Sequence, residues 1–269
     1  MNILEEIKQK AAALNKTIVL CEGEDSRVVR AASDATKQGI AKIVLLGDEA
    51  QIKAANPVVD LTGVTIVNPL TSDKLPAYNA KLCELRQSKG MTPEQAATLL
   101  KDGTYFGAMM LKMGDVDGLV SGACHSTANT LRPGLQIIKT APGVSAVSSF
   151  NLMICPPQGN QYCPDGLVVF ADCGLNPTYT SEGLADCAIA TAKSAKAIAG
   201  IEPRVAMLSF SSHGSAKHDN VTMVAEATRI AQEKAPDLAL DGELQFDAAI
   251  VPSVGEMKAP GSKVAGHAN

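Results

Sequence analysis

The sequence lacks the features that define several large classes of protein. Its seven cysteines are scattered and contain no C-x-x-C pair, which argues against a structural zinc site and a disulfide framework. It has no apolar run that approaches a membrane span, and its amphipathic, acid-containing N-terminal segment is unlike a signal peptide. The net charge of −4 offers no electrostatic basis for binding nucleic acid or an anionic membrane. We therefore expect a cytoplasmic protein with neither of those partners.

Common catalytic fingerprints are missing as well. The chain has no G-x-x-x-x-G-K-[ST], G-x-G-x-x-G, H-E-x-x-H or G-x-S-x-G motif. This argues against P-loop NTPases, ordinary dinucleotide-dependent dehydrogenases, zincins and α/β-hydrolases. We find no aspartate cluster suited to a divalent cation.

What the sequence does contain is a regular alternation of predicted strands and helices. Apolar runs at 17–21, 42–46 and 167–171 predict strands, and apolar spacing at 26–37 and 181–199 predicts helices. This rhythm favours α/β domains with mostly parallel sheets. Because the chain is long and Pro142-Gly143 is a turn signal, we place a boundary near 144 and expect domains at 1–144 and 145–269.

The most informative stretch is SGACHSTANTLRPGLQIIK at 121–139. A predicted strand at 117–120 leads into a loop with many hydroxyl groups, and a helix is predicted from residue 130 with Arg132 in its first turn. Helix starts and the carboxyl ends of parallel strands favour anions, and hydroxyl and guanidinium donors add directional hydrogen bonds. The segment therefore predicts a phosphate site whose candidate residues are His125, Ser126, Thr127, Thr130 and Arg132.

A purely structural interpretation of this stretch stays open. Thr130 has the chemistry of a helix N-cap, Pro133 is tolerated in a first turn, and Arg132 suits a solvated helix surface. Spacing alone favours that interpretation. Cys124 beside His125 suggests a thiol nucleophile, but adjacent loop residues seldom orient as a dyad.

Three other places also combine cations with hydroxyls or turns. The loop at 211–218 contains Ser215, the loop at 258–262 contains Lys258 and Ser262, and Arg86 lies near the end of a predicted helix. Glycine turns and a favourable helix C-terminal charge explain each of them without a function.

Taken together, the segments resemble the phosphate acetyltransferase (phosphotransacetylase) family, in order and across nearly the whole chain. The related phosphate butyryltransferases share the architecture, but the loops here are more similar to those of the acetyl enzymes. The matching segments are ELRQSKGMT at 84–92, DGLVSGACHSTANTLRP at 117–133, GLVVFADCG at 166–174, RVAMLSFSSHGSAKHD at 204–219, DGELQFDAAIVP at 241–252 and KAPGSKVAGHAN at 258–269.

The resemblance implies a fold and an activity. The fold is two αβα domains with a cleft between them, similar to isocitrate and isopropylmalate dehydrogenases, usually in a homodimer. The activity is reversible acetyl transfer between coenzyme A and inorganic phosphate, with coenzyme A as co-substrate, no tightly bound cofactor and no metal in the site. By position, Arg86 and Arg132 match arginines that hold anionic substrate groups, and Ser126 and Thr127 match hydroxyl residues of the phosphate site.

The sequence departs from the family at its C-terminal side. Family members continue beyond a segment like KVAGHAN with an S-R-G-C motif and an aspartate that deprotonates the coenzyme A thiol, and this sequence ends at Asn269. The alternative expectations are a truncated, catalytically impaired binding or regulatory module, or a phosphate butyryltransferase.

Overall fold

The computed structural model describes residues 3–156, 162–163 and 166–269. The chain divides into two compact units, one ending at Lys139 and the other beginning at Thr140. Both units alternate strands with helices, so the predicted α/β class is confirmed. The division falls a few residues before the position near 144 that the sequence suggested. In the described part of the chain, no helix has the length and apolar character that crossing a membrane requires.

Unit 1 is built on a four-stranded, wholly parallel sheet with the strand order β3-β2-β1-β4. Its strands are β1 (Thr17–Leu20), β2 (Lys42–Leu46), β3 (Thr65–Val67) and β4 (Gly118–Val120), and its helices are α1 (Ile3–Leu14), α2 (Ser26–Lys37), α3 (Glu49–Ala55), α4 (Leu75–Arg86), α5 (Pro93–Leu99), α6 (Gly103–Met113) and α7 (Thr127–Pro133), with a 3-10 turn at Gln87–Lys89 and a π-helical turn at Gly134–Ile138.

Helices cover both faces of this sheet, and alternate side chains of the central strands pack against one face or the other. In β2, Val44 and Leu46 pack with α4, α5, α6 and the π-helical turn, while Ile43 and Leu45 pack with α2 and α3. A strand buried on both faces is an uninterrupted apolar run, as IVLL at 43–46 is, because both sets of side chains face protein. Unit 1 is therefore the predicted αβα arrangement.

Helix α6 lies unusually close to β1. A Cβ at Gly107 would lie 2.7 Å from the sulfur of Cys21, and one at Gly103 would lie 2.4 Å from the backbone oxygen of Cys21. The two glycines therefore let the helix approach the sheet. The helix begins at Asp102, whose carboxylate accepts from the backbone N–H groups of Thr104 and Tyr105.

The described residues of unit 2 form two short sheets. Strands β5 and β6 pair antiparallel, and β7 and β8 pair parallel, so its sheets are less uniformly parallel than we expected. Asn269 lies between β6 and β7, since its backbone oxygen accepts from Val169 and its N–H donates to Arg204. The elements are β5 (Phe150–Ile154), β6 (Leu167–Ala171), α8 (Ser181–Ala199), β7 (Arg204–Leu208), α9 (Asp219–Lys234), β8 (Ala239–Leu244), α10 (Phe246–Ile250) and α11 (Pro252–Lys258).

The expectation that the cysteines form no disulfide was wrong for one pair. Cys155 and Cys163 form a disulfide, and the other five cysteines are free. The two residues are brought together because one follows β5 and the other precedes β6 of the antiparallel pair, with 6.5 Å between their Cα atoms. Counting cysteines and searching for C-x-x-C spacing cannot reveal a pair that strand pairing creates.

Candidate active site

The loop after β4 leads into α7 at a different residue from the one predicted. The N-cap is Ser126, whose hydroxyl accepts from the Asn129 N–H at 3.3 Å, while the Thr130 hydroxyl donates to the Ser126 carbonyl at 3.1 Å. Arg132 consequently lies in the last turn of α7, not the first. Pro133 has no N–H to donate, and the chain leaves regular α-helical bonding there and continues as the π-helical turn.

Arg86 and Arg132 are brought together by helix packing within unit 1. Arg86 is the last residue of α4, and α4, α6 and the segment formed by α7 and the π-helical turn pack against one another. Tyr105 of α6 lies near both arginines. Burial raises the pKa of its phenol, and the positive charges of Arg132 and Arg86 oppose that rise.

Neither arginine has a protein partner for its side chain within the part of the chain that the structure describes. The Nε of Arg86 is buried without a hydrogen-bond acceptor. A buried donor without an acceptor costs free energy in the free protein, and a bound anion removes that cost. The arrangement is therefore suited to hold a phosphoryl or carboxylate group, and the exposed Thr127 is the first residue of the helix that carries Arg132.

The loop is held from beneath by a buried acid, Glu22, whose exposed fraction is 2%. Its oxygens accept from the N–H groups of Gly122 and Ala123, both at 2.9 Å, and of Cys124 at 3.0 Å. Gly122 has a φ of +116°, a conformation that favours glycine. Burial opposes ionisation, but these hydrogen bonds and the one from His125 lower the pKa of Glu22 to about 2.

His125 is fixed between two carboxylates. Its Nδ1 lies 2.7 Å from Oε1 of Glu22, and its Nε2 lies 3.8 Å from Oδ2 of Asp102. The hydrogen bond to Glu22 raises the pKa of His125 above its ordinary value, against burial, and Asp102 and Glu24 add to the rise. These contacts favour the imidazolium form of His125 over the neutral ring.

Cys124 does not have the chemistry of a nucleophile. Burial and the neighbouring carboxylates of Glu22 and Glu24 raise the pKa of its thiol to about 12. This agrees with the expectation that Cys124 and His125 are no catalytic dyad. Ligand atoms of Glu22, Cys124 and His125 lie within 4.8 Å of one another, but they already hydrogen-bond among themselves, and we assign no metal to them.

The remaining predicted site residues lie in unit 2, and their polar groups have protein partners. The Ser215 hydroxyl accepts from the Ser212 N–H at 3.1 Å, and Lys258 forms an ion pair with Asp247 at 2.7 Å. Ser262 donates to Asp241. These contacts fit the structural interpretation of the two glycine loops, because each donor is already satisfied.

Two buried acids, Glu22 and Glu243, anchor the two polar loops, and sequence reasoning missed Glu22. Glu243 is buried at the end of β8 and accepts from the Ser211 hydroxyl at 2.8 Å and the Gly214 N–H at 2.7 Å, much as Glu22 holds the loop after β4. One signal in the sequence could have revealed Glu22. It is an acid that directly follows an apolar strand, as Glu22 follows Cys21, in a fold where the glycine loop after β4 lies at the same edge of the sheet.

Unit 2 also encloses a cavity of about 230 Å³. Its walls come mainly from apolar side chains of β6, β7 and α8, together with Phe246. An apolar cavity does not fit a phosphoryl group, so it is not the predicted anion site.

The fold and the loop geometry define a class: an α/β protein in which a loop with hydroxyl groups follows a parallel strand and leads into a helix that carries an arginine. The chain belongs to the family described as Phosphate acetyl/butaryl transferase, which it matches over residues 2–269. It is 52% identical to the phosphate acetyltransferase of Acetivibrio thermocellus over 269 residues, covering 100% of this chain and 80% of that one.

Solved structures agree with the family assignment. A phosphotransacetylase from Streptococcus pyogenes superposes with a TM-score of 0.91 at 42% identity, covering 99% of this chain and 79% of the other. The EutD phosphotransacetylase from Staphylococcus aureus gives a TM-score of 0.88 at 44% identity, covering 100% of this chain and 80% of the other.

Proposed function

We propose that this protein is a phosphate acetyltransferase, which transfers an acetyl group reversibly between coenzyme A and inorganic phosphate. Family membership and the names of the relatives support the reaction, in which coenzyme A is a co-substrate and no cofactor is tightly bound. The observation that supports a site for it is the pair Arg86 and Arg132 beside Tyr105, whose guanidinium groups have no protein partner among the described residues.

In the proposed mechanism, the phosphoryl group of acetyl phosphate lies between Arg132 and the hydroxyls of Ser126 and Thr127. Arg86 binds an anionic substrate group on the same side of unit 1. Thr130 and His125 hold the loop, since each bonds to a neighbouring residue of the site. Ser215, Lys258 and Ser262 stay candidates for contacts with coenzyme A that would require exchange of their present partners.

The chemical step is attack of the coenzyme A sulfur on the acetyl carbonyl carbon. The sulfur–carbon bond forms, the bond from that carbon to the phosphate oxygen breaks, and the thiol proton passes to a base. Charge accumulates on the departing phosphate. Guanidinium and hydroxyl donors fixed around it stabilise that charge more in the transition state than in the ground state.

The test is acetyl-CoA formation from acetyl phosphate and coenzyme A by the 269-residue chain and its variants. Arg132→Ala should slow turnover by about a hundred- to a thousandfold, because it removes a donor to developing charge. Arg229→Gln is the matched control, since Arg229 is an exposed arginine of α9 paired with Glu226 and Glu233. Near-normal turnover in Arg132→Ala would remove that residue from its role.

The same assay addresses the alternative of an impaired binding module. That alternative expects acetyl phosphate binding without turnover, and measurable turnover by the unmodified chain would exclude it. A parallel assay with butyryl phosphate distinguishes the butyryl enzyme by its substrate preference. The homodimer and the cytoplasmic location stay predictions, which sedimentation equilibrium and cell fractionation test.

A further inference from the structure

Glu22 occupies the donors that a glycine loop would otherwise offer to an anion. The N–H groups of Gly122, Ala123 and Cys124 all point at its carboxylate. Clustered backbone N–H groups of this kind make anion-binding sites in other proteins. Here the protein's own acid fills that position. A substrate phosphoryl group must therefore be bound by the side chains that follow, from Ser126 to Arg132.

This arrangement creates an electrostatic problem. A buried negative charge stands directly behind a loop that has to attract an anion, and it is ionised because its hydrogen bonds favour the charged form. Unlike charges attract and like charges repel more strongly where water is scarce. An uncompensated Glu22 would weaken binding of a phosphoryl group next to it.

His125 supplies the compensation. Its Nδ1 lies 2.7 Å from Glu22, so a protonated His125 and an ionised Glu22 form a pair with no net charge. Every charged neighbour that acts on this imidazole from the surrounding elements favours the protonated form: Glu22 and Glu24 after β1, and Asp102 at the start of α6. Arg27 of α2 is paired with Asp25, and its guanidinium also donates to the Ala123 carbonyl.

We propose that Glu22 is a positioning residue for the anion site: its contact with Nδ1 of His125 orients the imidazole, and the pair offsets the charge of Glu22 behind Ser126, Thr127 and Arg132. The proposal rests on the proposed function, because it needs the anion to bind at this loop. Loss of the His125 proton at higher pH then leaves Glu22 uncompensated and weakens anion binding.

The first experiment measures His125 itself by NMR titration of the histidine rings, with His125→Asn used to assign its signal. The titration midpoint in the wild type should lie above the ordinary 6.5. It should move to lower pH in Glu22→Gln, where the partner has no charge. Glu243→Gln is the matched control, because it alters the corresponding buried acid of unit 2 and should leave the His125 midpoint unchanged. An unchanged midpoint in Glu22→Gln would overturn the proposal.

The second experiment measures anion affinity by calorimetry with sulfate, whose charge is constant between about pH 6 and pH 9. The wild-type dissociation constant should rise by about three- to tenfold across the His125 titration, the effect of one nearby charge in a partly screened site. In Glu22→Gln that rise should occur at lower pH. The thiol of Cys124 stays protonated in this range, since its pKa is about 12.

His125→Asn keeps the proposal testable even where Glu22→Gln fails to fold. The asparagine amide preserves a donor toward Glu22 but cannot take up a proton, so sulfate should bind at the weak, high-pH level of the wild type throughout. A pH dependence like that of the wild type in His125→Asn would contradict the proposal. A structural role alone would not remove that dependence.

Arg132→Gln separates the two proposals. It should abolish most sulfate binding while leaving the His125 titration unchanged. Full sulfate affinity in Arg132→Gln would refute the proposed anion site, and with it the role of Glu22 in anion binding. An unshifted His125 midpoint in Glu22→Gln, with sulfate binding still dependent on Arg132, would refute the role of Glu22 alone.

Discussion

Tyr105 donates its hydroxyl to the side-chain oxygen of Gln136 at 3.0 Å. The bond joins α6 to the π-helical turn that follows Arg132, and Tyr105 is itself only 7% exposed. The phenol thereby connects the helix that packs closely on β1 to the segment that presents Arg132.

Tyr105→Phe should cost about 0.5–1.5 kcal/mol of unfolding free energy, since it removes one neutral hydrogen bond and leaves the Gln136 oxygen without this donor. Denaturant unfolding measures the loss. Turnover should fall by less than in Arg132→Ala, because the arginine remains in place. A loss of activity equal to that of the arginine variant would instead indicate direct contact between the phenol and substrate.

Arg86→Gln should raise the KM for the anionic substrate by about ten- to a hundredfold, the value of one hydrogen bond to a charged group. The free protein should not become less stable, because the variant removes a buried Nε that has no acceptor. Steady-state kinetics and denaturant unfolding check the two parts. A clear drop in stability with an unchanged KM would show that Arg86 is structural.

Asp115 links Tyr78 and Lys74 in unit 1, with its oxygens 2.5 Å from the phenol and 2.9 Å from the amine. The hydrogen bond from Tyr78, followed by the contribution of Lys74, lowers the pKa of Asp115 below 3.8 in the folded state. A lowered folded pKa stabilises the protein above the unfolded value, and that stabilisation disappears as pH falls through the folded one.

Tyr78→Phe should therefore lower the unfolding free energy by about 1 kcal/mol at neutral pH. The difference from the wild type should shrink as the pH falls below 3.8, where the carboxyl becomes protonated in the unfolded state first. Urea unfolding of both proteins across this pH range measures it. A difference that does not change with pH would contradict the ionic part of the argument.

Gly255 of α11 sits against the backbone of the C-terminal segment. A Cβ there would lie 2.5 Å from the Gly266 nitrogen and 2.7 Å from the Ala265 carbonyl carbon. Gly255→Ala should destabilise the protein by about 1–3 kcal/mol, because backbone atoms cannot move aside cheaply. Gly134→Ala is the control: its Cβ meets nothing within 4 Å, so thermal unfolding should show no comparable loss. Equal stabilities for the two variants would contradict the packing argument.

Local signals predicted local features well. The helices predicted at 26–37 and 181–199 have these bounds, because their N-caps, Asp25 and Thr180, are their immediate neighbours in the chain and need no tertiary help. The predicted start of α7, at residue 130, was wrong by about one helical turn. Ser126 and Thr130 are both good caps, and the choice between them depended on contacts of the loop with a distant residue, Glu22.

The sequence by itself determined the alternation of strands and helices, the family, and the hydroxyls and guanidiniums available at the loop after β4, since these follow from residue order and local preference. Only the tertiary structure decided that Glu22, a hundred residues away in the chain, lies beneath that loop, and that Arg86 and Arg132 both lie near Tyr105. The reason is the strand order. Placing β1 beside β4 brings their carboxyl ends together, and packing of α4, α6 and α7 does the same for the arginines.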